Sequence, residues 1–177
     1  MIFPLFRRSP RVGTIPALYG AIVAQARLPG FYRDYGVPDT VEGRFELIVL
    51  HLAMVLERLA AAPSLRGLGQ GVFDRFCQDM DNNLREMGVG DLAVPKHMRR
   101  LGEAFYGRAE AYRSALAAPG DEALVEALTR NIYGGRGSQA DRLAAYMREA
   151  VGHLRALDDA LVAEGALVLP EPASIRV

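Results

Sequence analysis

The chain has 177 residues, enough for one domain with a substantial core and too few for two comfortable ones. Its 21 basic and 21 acidic side chains cancel, which removes the global positive field that non-specific nucleic-acid binding draws on and leaves direct DNA binding without support. A single cysteine, Cys77, excludes an internal disulfide and suits a reducing compartment, with the cytoplasm as the default.

Residues 1–13, opening MIFPLFRRSPR, predict an N-terminal arm. Ile2, Phe3, Leu5 and Phe6 precede the arginines and are interrupted by Pro4, which does not suit a secretion signal. Such an arm can pack on the body or make a shallow membrane or partner contact backed by Arg7, Arg8 and Arg11. No window approaches the roughly 18 to 20 apolar residues of a membrane span.

From Thr14 onward the apolar periodicity is helical almost throughout, so the expected fold class is all-α. A first helix spans Thr14 to about Leu28 and is expected to stop at Pro29 and Gly30. Asp39 or Thr40 can cap the second, which extends to about Ala61; Asp39 and Glu42 have capping-box spacing. Its segment FELIVLHLAMVLERL is apolar on nearly every side, which predicts the central, most buried helix. Phe73, Phe76, Cys77, Met80, Leu84 and Met87 form the inward stripe of a third.

The stretch DMDNNLREMGVGD, residues 79–91, opens with the Asp-x-Asp-x-Asn spacing of a calcium loop. On a helix, however, Asp79 and Asp81 project about 200° apart and cannot chelate one ion. The glycine and glutamate required at the sixth and twelfth positions are Leu84 and Gly90 instead. The reading that fits is a helix ending, with Gly88 at C′, Val89 reaching back to Leu84, and an Asp81–Arg85 pair at i, i+4.

A fourth helix starts near Pro95 and turns Met98, Leu101, Phe105, Tyr112 and Leu116 inward. Lys96, His97, Arg99 and Arg100 occupy its beginning, where positive charge opposes the helix dipole, a hint of a binding task. Gly102 and Gly107 are candidates for the close approach of another helix. The fifth helix spans Asp121 to about Tyr133, and the sixth runs from Ser138 to about Glu164. A compact bundle-like domain of about six helices over residues 14–164, followed by a C-terminal arm over 165–177, is the expected organisation.

Catalytic and metal chemistry find little material. His51, His97 and His153 fall on three different predicted helices, and neither HExxH nor Cys-x-x-Cys occurs. No metal, cofactor or catalytic residue is assigned, and the expectation is a protein that is not an enzyme. The alternative is a small helical enzyme or ligand binder with a pocket around His51, joined by Glu46 or Asp39. By contrast, RLPGFYRDYGVPDTVEGRF interleaves Phe31, Tyr32, Tyr35 and Phe45 with Arg27, Arg33 and Arg44. That mix is enriched at interface hot spots, though the same aromatics can simply cover helix ends.

The words ARLPGFY, GVPDTVEGRFELIVLH, DMDNNLREMGVGD and FYGR, within a likeness from Leu18 to Tyr133, resemble the ubiquinol-cytochrome c chaperone family. The resemblance implies a non-enzymatic assembly chaperone for respiratory complex III that engages newly made cytochrome b. It also implies a small helical partner protein and the ribosome as further partners, as in the mitochondrial members. Matching positions offered as a shared surface are Arg27, Phe31, Tyr32, Gly36, Asp39, Gly43 and Arg44 in the first segment. In the second they are Asp79, Asp81, Arg85, Glu86, Gly88, Gly90 and Asp91. The lack of a long presequence suits a bacterial protein working in the cytoplasm or at the inner face of the plasma membrane.

Overall fold

The computed structural model describes residues 13–136 and 139–175; residues 1–12 of the expected N-terminal arm, Ser138 at the expected start of the sixth helix and the last two residues lie outside them. The described residues form an all-α domain of eight helices and one 3-10 turn, without strands. These are α1 (Thr14–Ala26), α2 (Pro29–Arg33), α3 (Val41–Ala61), α4 (Arg66–Glu86), α5 (Val94–Ala117), α6 (Glu122–Ile132), α7 (Ala140–Ala156) and α8 (Asp159–Ala163), with the 3-10 turn at Pro172–Ser174.

Helix α3 is the axis of the molecule. Every residue from Glu46 to Val55 is buried, and the helix packs against α1, α4, α5, α6 and α7. A helix surrounded in this way must be apolar on all sides, which is the pattern its sequence carries. Thr40 caps it, accepting from the Gly43 amide at 3.1 Å; of the two cap candidates Thr40 is the one used, so the Asp39–Glu42 box does not form. Gly43 is needed because the chain folds back over it. A Cβ at this position would lie 2.0 Å from the Pro38 carbonyl oxygen, a backbone atom with no room to yield. Gly43→Ala should therefore destabilise by about 2 kcal/mol despite its better helix propensity. A urea titration showing unchanged or increased stability would refute this contact.

One short helix is added to those expected, and one expected helix is divided. Pro29 does stop α1, because Leu28 before it is extended at ψ 129°, but Pro29 then occupies the first turn of α2 rather than a loop. The predicted sixth helix breaks at Leu157 and Asp158, where Leu157 is extended and the Asp158 carboxylate caps α8 through the Ala160 amide at 2.7 Å. Arg58 stabilises the break. Its guanidinium donates to the Leu154 and Leu157 carbonyls, both at 2.7 Å, and pairs with Asp159 at 2.5 Å. A cation on the last carbonyls of α7 satisfies acceptors that the helix leaves open.

The α4 ending follows the sequence closely. Gly88 has φ 84°, its amide donates to Arg85 and that of Val89 to Leu84, the two bonds of a Schellman cap. Gly102 and Gly107 do not serve a close approach, since a Cβ on either would meet nothing within 4 Å.

The C-terminal segment runs back along the start of the chain. Gln25 Nε2 donates to the Pro170 carbonyl at 2.7 Å, Tyr35 donates its hydroxyl to the Pro172 carbonyl at 2.7 Å, and Ile175 is buried. Beneath this segment sits an aromatic group in which Phe31 lies 5.4 Å from Tyr35, 5.3 Å from His51 and 4.9 Å from Tyr146, ring centre to ring centre. These separations suit tilted and edge-on packing.

Candidate functional site

The aromatic and arginine segment divides between core and surface. Phe31 and Tyr35 are fully buried, so neither can present its ring to a partner; this corrects the expectation of an exposed aromatic surface at those positions. Their burial follows from the C-terminal segment laid over them and from Arg142, whose guanidinium stands 4.7 Å over the Tyr35 ring. Tyr32 is half-buried and donates to the Ala26 carbonyl at 2.9 Å, helping to close the α1–α2 corner. Phe45, also half-buried, stacks on Phe76 of α4 at 6.4 Å. Arg27 is exposed, and Arg44 is exposed and paired with Asp39 at 2.7 Å, which holds the Asp39 carboxyl below its usual range.

The acidic stretch has separate structural tasks. Asp79 accepts from the Tyr19 hydroxyl at 2.8 Å, tying α4 to α1; burial and this carboxylate together push the Tyr19 hydroxyl up. Asp81 pairs with Arg85 at 2.7 Å, and Arg85 also bonds Asp91, so one guanidinium gathers both acids around the Schellman turn. Glu86 is exposed. With Asp79 and Asp81 directed to different partners they do not converge on one ion, and no group of three or more potential ligands occurs among the described residues.

Nor does a site assemble at His51. Its ring is fully buried, with Nδ1 at 2.7 Å from the Leu47 carbonyl and Nε2 at 2.8 Å from the Tyr146 hydroxyl. The carbonyl can only accept, so Nδ1 carries the proton and Nε2 accepts from Tyr146. Tyr146 in turn accepts from Gln25 Nε2 at 3.1 Å. Both ring nitrogens are thus satisfied by a neutral imidazole, and burial pushes its pKa down to about 4, the Leu47 bond opposing. The proposed companions point elsewhere: Glu46 is held by Arg108 at 2.6 Å, and Asp39 by Arg44.

What the molecule offers is an open groove of about 450 Å³ where α3, α5 and α7 diverge. Its lining combines small residues, Ala53, Ala61, Ala109 and Ala117, with Met54, Leu116, Met147, Val151 and Leu154. Charged side chains form the rim: Glu57, Arg58, Glu110, Arg113 and Arg155, with Tyr106 exposed beside them. Glu110 and Arg113 neutralise one another at 2.7 Å, whereas Arg155 has no ion-pair partner among the described residues. Such a surface suits an apolar segment laid along it and lacks a nucleophile, base and orienter in reach of one another. Leu116 falls on the inward stripe expected of the fourth helix, Met147 and Leu154 on that of the sixth, and Ala53 and Met54 within the apolar run of the second, whereas Ala61, Ala109 and Ala117 were not singled out by sequence pattern. The available signal was small side chains on α5, Ala109 one turn before Tyr112 on the same stripe and Ala117 directly after Leu116.

Comparison with protein families matches residues 33–169 to the one described as Ubiquinol-cytochrome C chaperone. The chain is similar to the protein in a crystal structure of the Cbp3 homolog from Brucella abortus, at 39% identity and a TM-score of 0.87, covering 99% of this chain and 100% of that one. No curated protein matches it.

Proposed function

This chain belongs to the ubiquinol-cytochrome C chaperone family, and from that premise we propose that it holds newly made cytochrome b by seating an apolar helix of that client in the α3–α5–α7 groove. The task is binding and release during assembly of ubiquinol-cytochrome c reductase, without catalysis. The observation that carries this reading is the lining: alanines let a helix backbone approach, and Met54 and Met147 adapt to differing side chains.

Magnitudes agree with a handover role. A groove of about 450 Å³ admits one face of a helix, a few anchors at i, i+3, i+4 and i+7. At about 1.5–3 kcal/mol per buried Leu-sized side chain, three anchors supply roughly 5–9 kcal/mol. Association costs of about 4 kcal/mol or more leave modest affinity, so the client can be released. Exposed Arg27, Arg44, Glu86 and Asp91 lie outside the groove and in this reading meet a partner protein rather than the client helix.

Placing tryptophan at Ala109 fills the groove from a half-buried position at the edge of the core. The expected result is a variant that melts like the wild type yet leaves cytochrome b at the level of a strain lacking the gene. A photo-crosslinker at Ala117 should capture cytochrome b in the wild-type background and lose it in the Ala109→Trp background. Normal cytochrome b accumulation and an unchanged crosslink in the variant would remove the groove from the function.

A further inference from the structure

Side chains tie the three groove helices to one another in a closed circuit, each helix sending one guanidinium to the next. Arg58 of α3 donates to the Leu154 and Leu157 carbonyls at the end of α7, both at 2.7 Å. Arg148 of α7 reaches the Leu116 carbonyl in the last turn of α5 at 3.5 Å, and bonds the Gly120 carbonyl and the Asp121 carboxylate just beyond it. Arg108 of α5 closes the circuit, donating to both Glu46 oxygens on α3 at 2.7 and 2.6 Å.

A guanidinium is planar and presents its donors in a rigid fork, so one that holds several acceptors fixes the separation and tilt of the elements carrying them. The α5–α7 side of the groove depends on such a bridge. Both helices pack on α3 and on α6 but hardly on one another, and among the described residues the side-chain hydrogen bonds that span them all come from Arg148. The surroundings of that bridge are groove wall: Met147 precedes Arg148 on α7, and Leu116 is its acceptor on α5. An apolar groove in water is favoured to close, because closure buries its lining. Small side chains such as Ala109 and Ala117 leave room for that approach, yet about 450 Å³ stays open.

We infer that Arg148 is a positioning residue that sets the separation of α5 and α7, with Arg58 and Arg108 completing the frame, so that the free protein already presents an open groove to its client. The inference rests on the groove being the client site. Preformed walls remove the cost of rearrangement from binding, and only the client helix then loses freedom. Without the bridge the open groove becomes one state among several, and capture falls with the fraction of molecules that remain open.

The experiment reads the wall separation directly, by pulsed electron paramagnetic resonance on the full chain without client. Nitroxides are attached through Ser114→Cys on α5 and Gly152→Cys on α7, both exposed and outside the groove lining, in a Cys77→Ser background. A Cβ at Gly152 meets nothing within 4 Å, so the label there has room. With Arg148 present the distance distribution should be single and narrow. Arg148→Met keeps the stem and removes the fork, and should shift or broaden the distribution by about 2 Å; Arg148→Lys, one ammonium for three acceptors, should fall between. The Arg148 side chain is 34% exposed, so circular dichroism should show both variants folded. If about one molecule in five stays open, the Ala117 photo-crosslink to cytochrome b falls about fivefold in Arg148→Met. A distribution that Arg148→Met leaves unchanged, or a displaced one with the crosslink at its wild-type yield, would overturn the inference. Failure of the client reading looks different: no crosslink in the wild type, whatever the distance, since the distance measurement needs no client.

Discussion

Between pH 6.5 and pH 4 the protein should lose about 3 kcal/mol of stability through one side chain, His51. The unfolded chain takes up a proton there near pH 6.5, while the folded chain resists until about pH 4. Within that interval the unfolded state binds more protons, so acidification favours it; the contribution is fully present above pH 6.5 and has been lost by pH 4. The cause is geometric. A second proton on the imidazole would face the Tyr146 hydroxyl, which must then reverse, and Gln25 would confront a donor where it now finds an acceptor. Because carboxylates titrate in the same range, the test is a difference: urea unfolding of wild type and His51→Gln at pH 7, 5.5 and 4.5. Loss of the two ring bonds should leave the variant less stable at pH 7, by about 1–3 kcal/mol. That gap should close or reverse by pH 4.5. Parallel curves would mean that His51 does not govern the acid limb.

Replacing Arg108 with leucine should cost about 3 kcal/mol at pH 7, a fall in melting temperature of roughly 6–12 °C. Arg108 donates through Nε and Nη2 to the two Glu46 oxygens at 2.7 and 2.6 Å, and through Nη1 to the Ala104 carbonyl at 3.2 Å. Glu46 retains 12% side-chain exposure and Arg108 26%, so removing the arginine strands a carboxylate that water barely reaches. Burial already raises the Glu46 carboxyl against the pull of Arg108, and without that pull the carboxyl rises further. A raised carboxyl takes up its proton on folding, so the deficit should shrink as pH falls through the carboxylate range. Glu46→Gln/Arg108→Leu should recover most of the loss, because the pair is tolerated as a unit rather than required. A single variant within 0.5 kcal/mol of wild type would show that Glu46 finds solvent or another donor.

Features set by neighbours in sequence were legible from it, and those set by distant segments were not. The Schellman ending at Gly88, the Asp81–Arg85 pair and the enclosure of α3 depend on spacings of a few residues or on one helix's own periodicity. Phe31 and Tyr35 look identical in sequence whether they cover a surface or fill a core; Pro172, on a segment with no helical pattern, decides the matter. The task of Asp79 is not legible locally because its donor, Tyr19, is 60 residues away. The break at Asp158 escaped notice because apolar periodicity passes straight across it, while the stabilising Arg58 comes from α3. The groove was hidden most completely, since alanine on one helix carries no signal until two other helices diverge around it.

The Tyr35–Pro172 bond also has a meaning in time. Its partners are 137 residues apart, so during synthesis the aromatic group around Phe31 remains uncovered until the final turn has left the ribosome. At about 5–20 residues per second that interval lasts on the order of ten seconds, long compared with the formation of any single helix. The protein therefore passes through a prolonged unfinished state, and the rate at which the codons as far as Pro172 are translated sets when the aromatic group is covered.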